Sequence, residues 1–192
     1  MTGVVLAGGA SSRFGTPKAS ALLNGRPLIE YPLAAMRQAG LPGLIVAKAD
    51  NEVERFAAGV ELLIEPEHPR HPLRGIVSAL QHTSGPVVVC ACDMPFVNAG
   101  LIQMLAGLPD ALAVVQAGGL PQPMLGRYTP AVLDVLIEAM TRELPVREVL
   151  RAAGARLLPA ESLSEFGDPE LLVRDIDTPE QLAAAEELVA GR

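Results

Sequence analysis

The chain has 192 residues, 49% hydrophobic and 19% charged, enough to bury the core of one domain, and a single domain over 1–192 is expected. Its formal charge of −7, with no block of like charges and no basic run interleaved with aromatics, excludes the footprint of a non-specific nucleic-acid binder. No run approaches the roughly 18 to 20 apolar residues of a membrane helix, and the opening MTGVVLAGG lacks a basic leader region, so a cytoplasmic protein without a membrane partner is expected.

In chain order, TGVVLA (2–7) reads as a strand and is followed by a glycine-rich loop and the helix PLIEYPLAAMRQAG (27–40). GLIVAKA (43–49) and VELLIE (60–65) read as the next strands, then LRGIVSALQHT (73–83) as a helix. The strand PVVVCAC (86–92), the helix NAGLIQMLAGL (98–108) and the strand ALAVVQA (111–117) repeat the alternation. QPMLGRY (122–128) reads as a further strand, TPAVLDVLIEAM (129–140) as a helix, Leu171 to Arg174 as a late strand and TPEQLAAAEELVA (178–190) as the last helix. Strands apolar on both faces that alternate with helices imply an α/β architecture, with helices covering a mostly parallel sheet in three layers. Thr178, Pro179 and Gln181 spell a capping box at the last helix, Thr129 and Pro130 repeat the Thr-Pro entry, and Asn98 is placed to cap its helix.

Cys90 and Cys92 fall on one face of a strand, too close in sequence for a disulfide, and read as buried small hydrophobes. His68, His71 and His82 are too few and too poorly spaced for a metal site.

Chemistry concentrates in three places. The loop in VVLAGGASSRFGTPK exposes backbone N–H groups and carries two cations, Arg13 and Lys18. It is not a P-loop, because Gly15 is followed by Thr16-Pro17-Lys18, nor a dinucleotide fingerprint, because Arg13 stands where the third glycine belongs. Two cations beside N–H donors suit a triphosphate, whose charge grows on the bridging oxygen as pyrophosphate leaves; the alternative is a solvated surface loop. VVVCACDMPF places the Asp93 carboxylate at the carboxyl edge of the sheet, either as the protein ligand to a magnesium ion or as a helix-capping residue. In VRDIDTPE, Asp175 and Asp177 point the same way if extended, and either meet a second metal or the acceptor substrate, or close the helix entry.

Together LAGGASSRFGTPK, HPLRGI, ACDMPF and DIDTPEQL resemble the nucleotidyltransferase family that includes the molybdenum cofactor guanylyltransferases, from Val4 to about Leu188. The resemblance implies a Rossmann-like fold and transfer of GMP from GTP to the phosphate of molybdopterin, with Mg2+ and release of pyrophosphate. It implies that Leu6, Ala7, Gly8 and Gly9 contact the nucleotide, Lys18 its phosphates, and Asp93 both nucleotide and metal. Transient contact with molybdoenzymes or their chaperones is a further implication. On the residues, Arg13, Lys18 and Asp93 then form the catalytic set, and no general base is needed because the acceptor phosphate is already ionised. The chain departs from the family in four places. His71-Pro72-Leu73-Arg74-Gly75 replaces Gly-Pro-Leu-x-Gly; the base-contacting aspartate has no counterpart, Glu65 and Glu67 being the nearest carboxylates; and the expected asparagine falls near Ala47. Asp175-Ile176-Asp177-Thr178-Pro179 replaces Asn-x-Asn-Thr-Pro, a form also found in enzymes that use CTP with the same pterin or act on sugar phosphates. A CTP-dependent enzyme, another phosphorylated acceptor and a non-catalytic nucleotide-binding module therefore stay open. Arg127, Arg142 and Arg147 are either acceptor contacts or solvated surface arginines.

Overall fold

A computed structural model describes residues 1–8, 17–49 and 53–190. The loop residues Gly9 and Arg13 lie outside the described residues.

Strand β1 (Thr2–Leu6) is central and pairs in parallel with β4 (Gly43–Ala47) on one side and with β6 (Val87–Ala91) on the other. Outside β4 lies β5 (Glu61–Ile64), also parallel. Beyond β6 the order continues with β8 (Leu120–Tyr128), β7 (Leu112–Ala117) and β9 (Arg156–Pro159), where β8 runs against its neighbours and β7 and β9 are parallel. The result is the expected mostly parallel α/β sheet, seven strands wide with one reversed strand.

Alternation along the central strands builds the three layers, because successive side chains leave opposite faces. Val5, Val88 and Cys90 pack with α1 (Glu30–Gln38) and α3 (Ala99–Gly107), whereas Val4, Val87 and Val89 pack with α2 (Arg74–Thr83), α4 (Leu133–Thr141) and α5 (Val146–Ala152). Both faces are covered, so the central strands must be apolar throughout. A third cluster seats α7 (Pro179–Ala190) through Leu182 and Ala185 on Leu23 and Leu28, which belong to a small hairpin of β2 (Leu22–Leu23) and β3 (Arg26–Pro27) and the turn after it.

Several expectations shift. Leu171 to Arg174 is not a strand: Pro169–Leu172 form a helical turn, α6, because Asp168 caps Glu170 N at 3.0 Å and Pro169 takes the first helical position. Pro27 pairs in β3, so α1 begins only at Glu30. Thr129 stands at the head of a 3₁₀ turn (Pro130–Val132) but makes no capping bond, and α4 starts at Leu133. The other two caps form: Asn98 accepts from Leu101 N at 3.1 Å, and Gln181 and Thr178 exchange the reciprocal bonds of the capping box. Cys90 and Cys92 are free, buried thiols whose pKa burial raises above the ordinary value.

Candidate active site

The carboxyl ends of β1, β4, β5 and β6 open onto a cavity of about 840 Å³. It lies where the chain, having built outward from β1 to β4 and β5, returns to the other side of β1 as β6, the crevice in which open α/β sheets bind ligands. Leu6, Ala7, Gly8, Lys18, Asp93 and Asp175 all line it.

Each wall follows from local structure. Ala7 N donates to Val46 O at 2.8 Å and Cys92 N to Leu6 O at 3.0 Å, which lock the ends of the central strands together. Asp93 follows two residues after β6 and is thereby held at the sheet edge, as expected. Lys18 opens a 3₁₀ turn (Lys18–Ser20) that brings its side chain across the cavity. Its Nζ donates to Asp93 Oδ2 at 3.0 Å and also to Asp177 Oδ1. The Lys18 and Asp93 side chains are only 14% and 16% exposed, so this pair is shielded, whereas Asp177 at 43% faces solvent. Ile176 N donates to Asp93 O at 2.9 Å, joining the segment with Asp175 and Asp177 to the end of β6. Residues 75 and 159 positions from Lys18 thus meet on one ammonium.

The electrostatics are mutual. Burial alone would lower the Lys18 pKa, but the hydrogen bonds and charges of Asp177 and Asp93 outweigh it and hold the ammonium above its ordinary value. Partial burial of its carboxyl, then the charges of Asp177 and Asp93, push Asp175 up. Glu65 follows β5 and is also raised, by burial, with the charges of Lys48 and Arg74 opposing.

The sequence reading did not single out Lys48, Arg70, Gln122 and Met124 as site residues, yet all line the cavity. Gln122 and Met124 come from β8, where the register against β7 jumps from Val114–Gly126 to Val115–Gln122. No sequence signal marks that irregularity, since it depends on the partner strand. Arg127, Arg142 and Arg147 do not line the cavity. Arg127 donates to Asp110 O at 3.0 Å and Ala106 O at 2.8 Å, Arg142 pairs with Glu138, and Arg147 is exposed.

Residues 3–158 match the MobA-like NTP transferase domain. The chain belongs to this family. A molybdenum cofactor guanylyltransferase of Cereibacter sphaeroides is 32% identical over 97% of this chain and 96% of its own. Molybdopterin-guanine dinucleotide biosynthesis protein A of Archaeoglobus fulgidus superposes with a TM-score of 0.84 at 26% identity, covering all of both chains. A nucleotidyl transferase from Methanothermobacter shares the fold, with a TM-score of 0.74 at 20% identity over 100% of this chain and 98% of its own. This MobA-like NTP transferase is therefore a nucleotidyltransferase enzyme, and such enzymes typically use a divalent metal. Among the described residues no helix is long and apolar enough to cross a membrane.

Proposed function

We propose that this MobA-like NTP transferase moves GMP from GTP to the phosphate of molybdopterin, releasing pyrophosphate, in the cytoplasm and as one domain over 1–192. The observation that carries the reading is the shielded Lys18–Asp93 pair at the mouth of β1 and β6, in a cavity large enough for a nucleotide. The guanylyltransferase name of the Cereibacter sphaeroides relative supports the choice of nucleotide and acceptor.

The donor set suits Mg2+. Asp93 and Asp177 converge on one cation, and Asp175 is crowded by both. Two carboxylates brought this close make the partial shell that magnesium accepts when phosphate oxygens and water supply the rest. Asp93 would hold the ion, and when bound it would neutralise charge on the phosphates. Leu6, Ala7, Gly8 and Gly9 line the nucleotide. Lys18 leaves its carboxylates for the phosphates, and Arg13 supplies the second cation to the departing pyrophosphate. An oxygen of the acceptor phosphate bonds to the α-phosphorus as the bond to the bridging oxygen breaks, and pyrophosphate leaves with the electron pair. Asp177, which accepts from Lys18, serves the acceptor side with Asp175. Release of a labile product favours transient contact with a molybdoenzyme or its chaperone.

The test is calorimetric binding of GTP and CTP with magnesium, followed by pyrophosphate release with molybdopterin. Preference for GTP and acceptor-dependent release are expected. Preference for CTP would reassign the nucleotide, and failure to bind either would overturn the reading.

A further inference from the structure

Resting on that reading of the cavity as a nucleotide site, we infer that His71 is a positioning residue: its neutral imidazole holds the turn before α2 in shape for the nucleotide, and protonation of the ring releases that turn. His71, Pro72, Arg74 and Gly75 all line the cavity, so the turn that enters α2 is one of its walls.

Both ring nitrogens of His71 are bonded to backbone, and the backbone fixes their roles. Leu73 N can only donate, at 3.2 Å to Nδ1, so Nδ1 presents a lone pair. Leu144 O can only accept, at 3.0 Å from Nε2, so Nε2 carries the hydrogen. The ring in this arrangement is neutral, in one defined tautomer. An imidazolium carries a hydrogen on both nitrogens; it keeps the bond to Leu144 O but sets N–H against N–H at Leu73.

Neither side absorbs that conflict easily. Leu73 is fully buried in the core cluster that holds Val4, Val46 and Ile76, so its N–H has no water to turn to. The ring is held from behind by the corner between α4 and α5, where Leu144 and Val146 pack on the same cluster. Arg74 N donates to His71 O at 3.0 Å, which ties the start of α2 to the same residue. A methyl group at Gly75 would stand 3.0 Å from Leu6 Cδ2 and 3.1 Å from Glu65 Oε2. The first turn of α2 thus rests on the cavity wall without slack, and a shift at Leu73 reaches residues that line the nucleotide.

Histidine is the side chain whose charge ordinarily changes between about pH 5 and 8. On the segments that meet at His71 the other charged or titratable groups are Glu65, Glu67, His68, Arg70 and Arg74 on its own side. Arg142, Glu143 and Arg147 surround Leu144 on the other. The arginines keep their charge throughout this range. Glu65, whose carboxyl is raised by burial, stays in place when His71 alone is changed, as do Glu67, Glu143 and His68, so their contribution cancels between variants. The nucleotide requires the neutral ring and the proton releases the turn, so each lowers the affinity for the other.

The experiment is calorimetry of GTP with magnesium on the full chain, from about pH 8 down to about pH 5.5, for wild type, His71→Asn and His71→Ala, with nitrogen NMR of the wild-type imidazole. In His71→Asn the side-chain oxygen can accept from the same Leu73 N–H, as in an Asx turn, without titrating. The phosphates of GTP titrate alike in all three proteins. The affinity of wild type relative to His71→Asn is expected to fall about 5- to 10-fold across this range, because one buried hydrogen bond is lost only in wild type. His71→Ala should bind GTP about 5- to 10-fold more weakly than wild type at the upper pH, and the two should converge as pH falls. The NMR should show the hydrogen on Nε2 at the upper pH, and bound GTP should shift protonation of the ring to lower pH. A ratio of wild type to His71→Asn that stayed constant with pH would overturn the inference, as would a neutral ring with its hydrogen on Nδ1 or full affinity in His71→Ala at the upper pH. If His71→Ala did not fold, wild type and His71→Asn would decide alone. Tight GTP binding with a constant ratio would strike the inference and leave the nucleotide reading intact, whereas wild type that bound GTP at no pH would bring down that reading and the inference with it.

Discussion

The two halves of the sheet treat their polar side chains in opposite ways. On the β5-β4-β1-β6 side, charged groups at the strand ends face the cavity, and some of them, Glu65 and Arg74 Nε, have no hydrogen-bond partner among the described residues. On the β8-β7-β9 side the long polar side chains Arg127, Tyr128 and Arg156 are tied into the frame. Arg127 donates to two backbone carbonyls, Tyr128 Oη donates to Pro123 O at 2.7 Å, and Arg156 pairs with Asp110 at 3.0 Å. The difference separates work from support: a group held open toward a cavity is available to a ligand, and a group bonded to backbone holds the fold.

Substitutions in the two halves should therefore fail differently. The largest effect is expected for Asp93→Asn, which should cut turnover by at least about 10²-fold, because it weakens the charge on which the metal and the phosphates depend. Its melting temperature should change little by comparison. Full magnesium-dependent turnover in that variant would remove Asp93 from the mechanism. Arg127→Ala should do the reverse. Losing its hydrogen bonds to Asp110 O and Ala106 O should cost about 1–3 kcal/mol and lower the melting temperature by about 2–4 °C for each kcal/mol, with GTP affinity preserved. A loss of GTP affinity at unchanged melting temperature would erase the distinction between the halves.

Asn98→Ala lies in the frame and should cost about 1 kcal/mol, since it removes the cap on Leu101 N. Its Nδ2 also donates to Phe166 O at 2.7 Å, a tie between α3 and the 3₁₀ segment Ala160–Phe166, so a melting shift larger than that of Thr178→Ala is expected. Equal shifts would mean that this tie contributes nothing.

The smallest effect concerns pH. Asp175 has its pKa raised, so the folded state holds its proton more tightly than the unfolded chain does, and this residue lowers stability as pH rises from the ordinary aspartate value through the raised one. Asp175→Asn should therefore melt slightly higher than wild type at pH 7, with the gap closing as pH falls below about 3.9. A gap that widened on acidification would contradict the sign.

Much of the fold was legible because its causes are local. Beyond Thr2, β1, β4 and β6 carry no polar side chain on the residues that pair, which signals burial on both faces, and Asn98 and Thr178 announce helix starts through their own side chains. The hairpin between β7 and β8 was also legible, since Gly118 and Gly119 take φ of 54° and 76° in a two-residue turn, the signature of Gly-Gly between strands. Reading it would have started β8 at Leu120 instead of Gln122. The late segment Leu171 to Arg174 misled because four apolar and charged residues carry no period; the decision lay with Asp168 and Pro169 just before them.

The sequence by itself determined the α/β alternation, the loop that ends on Lys18 and the Asp93 carboxylate, because strand patterning, glycine and a strand-terminal acid act through their immediate neighbours. Only the tertiary structure decided that Asp177 shares Lys18 with Asp93, that Gly8 and Gly75 make room for Glu65, and that the reversed strand lends Gln122 and Met124 to the cavity. Those contacts join residues far apart in the chain, and only the packing of β1, β5, β6 and β8 into one sheet gives them a common wall.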